Sequence, residues 1–159
     1  MTEKAGEELL ILPITYDVPY RWSAGEHVGR FLEELRDNAR IYCNLCPKCG
    51  RAQVPPRPVC DRCHVRMGEW VELGHKGTVL TFVVVQQSFW DPTYGRMRPV
   101  PYTIGTIQLD GPPSSFTHLL EETDPEKLRI GMRVQAVFKP KEERRGHISD
   151  ILHFKTIEE

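Results

Sequence analysis

The residues best placed to do chemistry lie between Cys46 and Cys63. The chain reads Cys46-Pro47-Lys48-Cys49-Gly50, continues from Gly50 to Val59, and then reads Cys60-Asp61-Arg62-Cys63. Two Cys-x-x-Cys pairs at this separation form a four-thiolate metal site of the kind zinc occupies in closed structural centres. Each pair makes a tight knuckle with its two sulfurs pointing the same way. Gly50 suits a knuckle, because the chain must turn back with positive φ. A Cys-Pro-x-Cys-Gly knuckle also occurs in single-iron sulfur proteins, so iron is the alternative metal. Two disulfides are a third reading, disfavoured because such frameworks belong mainly to secreted chains. A catalytic zinc keeps a position open for water, and four thiolates leave none. The metal therefore reads as structural.

Little else in the sequence could carry catalysis. The fifth cysteine, Cys43, also stands in Cys-x-x-Cys spacing with Cys46. Cys46 is needed to pair with Cys49 opposite Cys60 and Cys63, so Cys43 reads as a buried or helix-end thiol. The histidines, His27, His64, His75, His118, His147 and His153, form no recognisable nucleophile–base constellation. His64 follows Cys63 and could substitute as a ligand, but four cysteines already close the site. No Gly-rich phosphate loop, Gly-x-Ser-x-Gly or His-Glu-x-x-His is present. Read from its residues alone, this is an accessory or binding protein.

Composition sets the frame. The 159 residues are 40% hydrophobic and 27% charged, so a packed core is expected. No run approaches the roughly 20 apolar residues of a membrane span. The acidic N-terminus has no signal-peptide pattern, which with thiolate ligands gives a cytoplasmic expectation. A net charge of −1 provides no bulk footprint for nucleic acid.

The elements that must position the cysteines follow in order. Residues 1–22 hold Leu9 to Leu12, two prolines, Tyr16, Tyr20 and Trp22, and read as an extended arm. Ser23 and Glu26 make a capping box for a helix over 23–42. Val28, Phe31, Leu32, Leu35 and Ala39 recur at helical spacing, as a face that packs on the ribbon or on a partner. The ribbon spans 43–73, with Gln53-Val54-Pro55-Pro56-Arg57-Pro58 as a stiff strap. Residues 74–159 read as β, with strands over 77–86, 102–109, 114–120, 134–139 and 148–157. Asp124-Pro125 starts one helical turn between the third and fourth. The fold class is mostly β with an N-terminal helix, a zinc ribbon and then a five-stranded OB-type barrel. A small open sandwich is the alternative.

Two surfaces stand out. The connection from Gln87 to Pro101 carries Phe89, Trp90, Tyr94 and Met97 and reads as an interaction loop. Lys48, Arg51, Arg57 and Arg62 give the ribbon a basic rim, read as solvated charge or as a grip for phosphate. Lys139, Lys141, Arg144 and Arg145 form a second basic cluster. An OB barrel that binds single-stranded nucleic acid needs a basic groove with stacking aromatics, and the barrel strands here carry few positive charges.

The order of helix, rubredoxin-like ribbon with Pro55-Pro56-Arg57, and barrel with Leu109-Asp110-Gly111, Asp124-Pro125-Glu126 and Arg129-Ile130-Gly131-Met132 resembles a known family. It is the zinc-ribbon/OB-fold family that accompanies thiolase-like enzymes, formerly a domain-of-unknown-function family, and the resemblance covers about residues 23–155. It implies structural zinc on Cys46, Cys49, Cys60 and Cys63, and an acyl-CoA thioester shared with a partner. The partner would be a thiolase, a sterol-type thiolase acting as aldolase, or a hydroxymethylglutaryl-CoA synthase-like enzyme, and would own the catalytic Cys and His. Arg57 matches the strap near where CoA phosphates are expected, and Lys48, Arg51 and Arg62 complete that rim. The implied substrate is a β-keto acyl-CoA from lipid, steroid or aromatic breakdown, such as benzoylsuccinyl-CoA.

Overall fold

The periodic stripe of the first predicted element does form a helix. In the computed structural model, which describes residues 22–91 and 95–158, α1 spans Gly25–Asn38 and buries Phe31 and Leu35 completely. Each such side chain contributes about 1.5–3 kcal/mol through its burial. Half of the expected capping box is present: the Ser23 hydroxyl accepts from the Gly25 N–H at 3.1 Å, but the helix begins after Ala24 without a side-chain cap there. The helix also stops short of Tyr42. Ala39 turns left-handed (φ 53°) and its N–H bonds back to the Glu34 carbonyl. The chain then extends into β1 (Ile41–Leu45). The arm over 1–21 lies outside the described residues.

After β1 come β2 (Ala52–Gln53), β3 (Trp70–Leu73), β4 (Lys76–Val85), β5 (Trp90–Asp91), β6 (Arg96–Met97), β7 (Tyr102–Leu109), β8 (Phe116–Leu120), β9 (Arg133–Phe138) and β10 (Ile151–Thr156). Strand β1 is the centre of the ribbon sheet, antiparallel to β2 on one side and to β3 on the other. The barrel strands pair in the ring order β10-β8-β7-β4-β9. This is the OB topology rather than a sandwich. Its last seam is short: β8 and β10 meet in one parallel rung, Leu120 opposite Phe154. The helical turn expected at Asp124 is a hydrogen-bonded turn, with the Asp124 carbonyl accepting from Lys127 and Leu128.

One core runs through helix, ribbon sheet and barrel. Phe31 and Leu35 from α1, Ile41 and Cys43 from β1, and Leu73 from β3 belong to the same cluster as Val79, Ile107, Val134 and Phe154 of the barrel. The knuckles have their own small cluster of Cys46, Cys60 and Met67. At Gly77, where β4 enters the barrel, an added Cβ would lie 2.6 Å from the Gln108 carbonyl oxygen, so the strands close here because the residue has no side chain.

The connection from Gln87 to Pro101 has structure of its own. Strands β5 and β6 pair as a hairpin, Trp90 opposite Met97, with Phe89, Trp90 and Met97 exposed. Residues 92–94 lie outside the described residues. Among the described residues, no helix is long and apolar enough to cross a membrane.

Candidate metal centre

Each cysteine pair sits on a reverse turn that the backbone closes. The Gly50 N–H donates to the Cys46 carbonyl at 2.9 Å, and the His64 N–H donates to the Cys60 carbonyl at 3.0 Å. Gly50 and His64 occupy equivalent positions, and both are left-handed, at φ 70° and 54°. The first knuckle has glycine where that conformation is free of strain, and the second places a histidine there. His64 thus serves the turn and stands apart from the four-sulfur cluster.

The two turns converge. Cys46, Cys49, Cys60 and Cys63 bring their Sγ atoms within 4.8 Å of one another, and Cys49 and Cys60 lie 3.9 Å apart. Tetrahedral thiolates at about 2.3 Å from zinc stand about 3.8 Å apart, so the set fits the ion. The Cys63 N–H points at Cys60 Sγ at 3.4 Å. Without a cation such crowding opposes ionisation: the Cys63 thiol is pushed up to about 12, first by its hydrogen bond with Cys49, then by burial and by Cys46. A bound cation reverses that preference, because it binds the thiolate form. All five cysteines are free, so the disulfide reading does not hold. Cys43 faces the core on β1, and burial raises its thiol above the ordinary value, which makes it a poor nucleophile.

The strap between the knuckles is held by a residue that the sequence reading missed. Asn44 is fully buried on β1, its Nδ2 donates to the Arg57 carbonyl at 2.7 Å, and its Oδ1 accepts from the Arg57 N–H at 3.3 Å. Within the strap, Pro56 is buried and Arg57 is exposed. A polar residue in the middle of an apolar strand pattern is the signal that could have identified Asn44.

The four rim cations, Lys48, Arg51, Arg57 and Arg62, are all exposed, but they do not form one equal set. Arg51 is paired with Asp61 at 3.2 Å, and Gln53 donates to the same carboxylate at 2.8 Å. Arg51 also lines a cavity of about 430 Å³ at the seam between ribbon and barrel, together with Gln108 and Ser114, and Lys48, Arg57 and Arg62 do not. The second basic cluster is largely structural. Arg144 donates to the Leu35 carbonyl near the end of α1 at 3.2 Å, and Lys139 donates to Ser149 at 3.2 Å. The Arg145 N–H bonds to the buried carboxylate of Asp150, which also accepts from the N–H groups of Gly146 and His147.

Comparison with known proteins agrees with this architecture. A family model described as the ChsH2 rubredoxin-like zinc ribbon domain matches residues 45–68, and one described as the ChsH2 C-terminal OB-fold domain matches residues 70–139. A DUF35 domain-containing scaffold protein of Pyrococcus furiosus is 29% identical over 110 residues, which cover 69% of this chain and 76% of the relative. A scaffold protein of the same description from Methanocaldococcus jannaschii is 32% identical over 102 residues, or 62% of this chain and 69% of the relative. Among solved structures, a chain described as Ltp2-ChsH2(DUF35) aldolase superposes with a TM-score of 0.60 at 20% identity, covering 86% of this chain and 98% of that one. A DUF35 protein of unknown function from Sulfolobus solfataricus superposes with a TM-score of 0.51 at 18% identity, over 80% and 81% of the two chains. With a four-cysteine ribbon, an OB barrel behind it and these relatives, the chain belongs to the DUF35 family of zinc-ribbon/OB-fold proteins.

Proposed function

We propose that this chain is the non-catalytic, zinc-holding subunit of a hetero-oligomer whose other subunit is a thiolase-like enzyme acting on an acyl-CoA. The chain supports binding of the CoA thioester, and the partner's own residues cleave the C–C bond. The observation that carries this reading is the match to a DUF35 chain described together with Ltp2 as an aldolase, aligned over 98% of its length. The relatives described as scaffold proteins support it. So does the ribbon, whose exposed Lys48, Arg57 and Arg62 suit CoA phosphates. The Arg51 guanidinium beside Asp61 is a weaker contributor to that grip.

The likeness to the DUF35 chain of an Ltp2-ChsH2 aldolase favours one version of the partner, a thiolase-fold enzyme working as a retro-aldolase. A β-hydroxy acyl-CoA is the substrate of that version; a thiolase proper would instead cleave a β-keto acyl-CoA from lipid, steroid or aromatic breakdown with free CoA taking the released acyl group, with benzoylsuccinyl-CoA as the aromatic case. The reducing chemistry of four thiolates suits the cytoplasm.

Co-expression with a thiolase-like chain from the same source tests the reading. The two should elute as one complex, with cleavage several-fold above that of the enzyme alone. Separate elution with a fully active enzyme would remove the scaffold role. Within the complex, Arg57→Glu and Arg62→Glu should raise KM for the acyl-CoA and leave kcat close to wild type.

A further inference from the structure

OB barrels bind ligands on the face of their second and third strands, between the loop joining strands one and two and the loop joining four and five. Here those strands are β7 and β8, and the loops are 86–101 and 139–150. A concavity of about 330 Å³ lies at that place. Its walls are Ile104 of β7, Leu119 of β8, Ile148 of the second loop, and Ile151 and Leu152 of β10, with Arg98 of the first loop at its edge. Its origin is the short seam of the barrel. Strands β8 and β10 share the Leu120–Phe154 rung and no other, so Thr117–Leu119 and Ile151–Leu152 stand apart and leave a gap between them.

Arg98 is held for a purpose that its own contacts do not exhaust. Its Nε pairs with Asp91 Oδ2 at 3.0 Å, and its guanidinium lies over the Tyr102 ring at 4.8 Å. Its backbone N–H bonds to the Phe89 carbonyl, and its carbonyl accepts from the Ser88 hydroxyl. One edge of the guanidinium is thereby fixed. Its Nη groups donate no hydrogen bond among the described residues. Arg98 also lines a second concavity of about 320 Å³, so it stands between two hollows. The histidine on the floor, His118, is spent on the Ile148 carbonyl through Nε2 at 3.3 Å. Burial holds its imidazole below the ordinary value, against the opposite pull of its hydrogen bonds with the Ile148 and Leu119 backbone. The nearby carboxylate of Asp150 is turned inward onto backbone N–H groups.

From this geometry we infer that the OB face of the chain is a binding site for a small carboxylate with a compact aryl or branched-alkyl body. The body fills the gap between β8 and β10, and the carboxylate takes the open edge of Arg98. A guanidinium with one edge pinned presents two parallel N–H donors, the arrangement a carboxylate fits best. The volume is at the lower end of the roughly 300–1,000 Å³ of small-molecule sites. The site is independent of the scaffold role and of the ribbon's basic rim.

The test is a titration of the zinc-loaded full chain, followed by amide NMR, with 4-ethylbenzoate, 4-ethylacetophenone and acetate. The benzoate should bind saturably and shift the amides of Leu119, Ile148 and Leu152. The ketone, which has the body without the charge, and acetate, which has the charge without the body, should each bind at least tenfold more weakly. Arg98→Gln should weaken the benzoate at least tenfold and leave the ketone unchanged. Leu152→Glu, at an exposed position on the wall of the gap, should weaken benzoate and ketone alike without touching the hairpin. Equal binding of benzoate and ketone, shifts confined to the ribbon, or an unchanged affinity in both variants would overturn the assignment. So would a gap that takes none of the three probes, which is the result expected if a partner protein's side chain is its occupant.

Discussion

Asn44 and Arg57, thirteen residues apart, exchange two hydrogen bonds across the ribbon, and they tie the proline strap to the central strand. Replacing Asn44 with Ala removes both bonds and should destabilise the protein by about 2 kcal/mol, at roughly 1 kcal/mol per bond. Denaturant titration checks the loss. Release of zinc to a colorimetric chelator should also quicken, because the strap joins the two knuckles. Asn44→Asp keeps the acceptor for the Arg57 N–H but turns a second buried oxygen onto the Arg57 carbonyl, and should be no more stable than Ala. An Ala variant as stable as wild type would show that the strap is held by its prolines.

Metal removal should act locally. The knuckle cluster has three buried members, Cys46, Cys60 and Met67, too few to hold without the ion, whereas β1 and β3 belong to the main core. Treatment with a strong chelator should therefore abolish amide protection over residues 46–68 and preserve it in β4 and β7. Cys46→Ser should give the same pattern without chelator. Hydrogen exchange distinguishes this from global unfolding, which would expose all strands together.

Gly77 is where β4 comes closest to β7. An alanine there meets backbone, the Gln108 carbonyl oxygen at 2.6 Å, as well as the Ile107 side chain at 2.7 Å. Gly77→Ala should cost about 2–3 kcal/mol, in the range of overpacked cores. Gly29 of α1, where a Cβ meets nothing within 4 Å and the backbone is helical, is the control for space alone. Thermal denaturation of the two variants measures the difference.

His118 should make stability depend on pH. Burial lowers its folded value, so between that value and the ordinary one near 6.5 the unfolded chain binds more protons. Stability from this group is therefore complete above about pH 6.5 and declines as pH falls through the window towards the folded value. Denaturation midpoints for wild type and His118→Gln, compared from pH 7.5 to 5.5, isolate the contribution. The wild type should lose more than the variant, and parallel curves would assign the slope to other groups.

The two halves of the molecule were not equally legible in the sequence. Paired cysteines announce themselves because a metal site fixes both residue type and spacing, and β7 matches the expected span of Tyr102–Leu109. The sequence predicts helix up to Tyr42, so the strand Ile41–Leu45 has its first two residues in the expected helix and the rest in the expected ribbon. Its apolar residues continue the helical stripe, and its partner Trp70–Leu73 lies about thirty residues away. Nothing local marks Ala39 as the left-handed stop. The β5–β6 hairpin is hidden by its prolines, and Asn44 by the expectation of helix up to Tyr42, which breaks the strand pattern that frames it. The basic rim was read as four equal cations, because the sequence cannot show that Asp61 folds back onto Arg51.

Helix, ribbon sheet and barrel draw on a single interior, in which Leu35, Ile41 and Phe154 are all sealed from water. The four sulfurs sit outside that interior in their own small cluster, carried by the ribbon sheet. The ribbon sheet and the barrel cannot swing independently without opening that shared interior, so the packing sets the angle between them. Changing the side chains between them would re-aim one against the other.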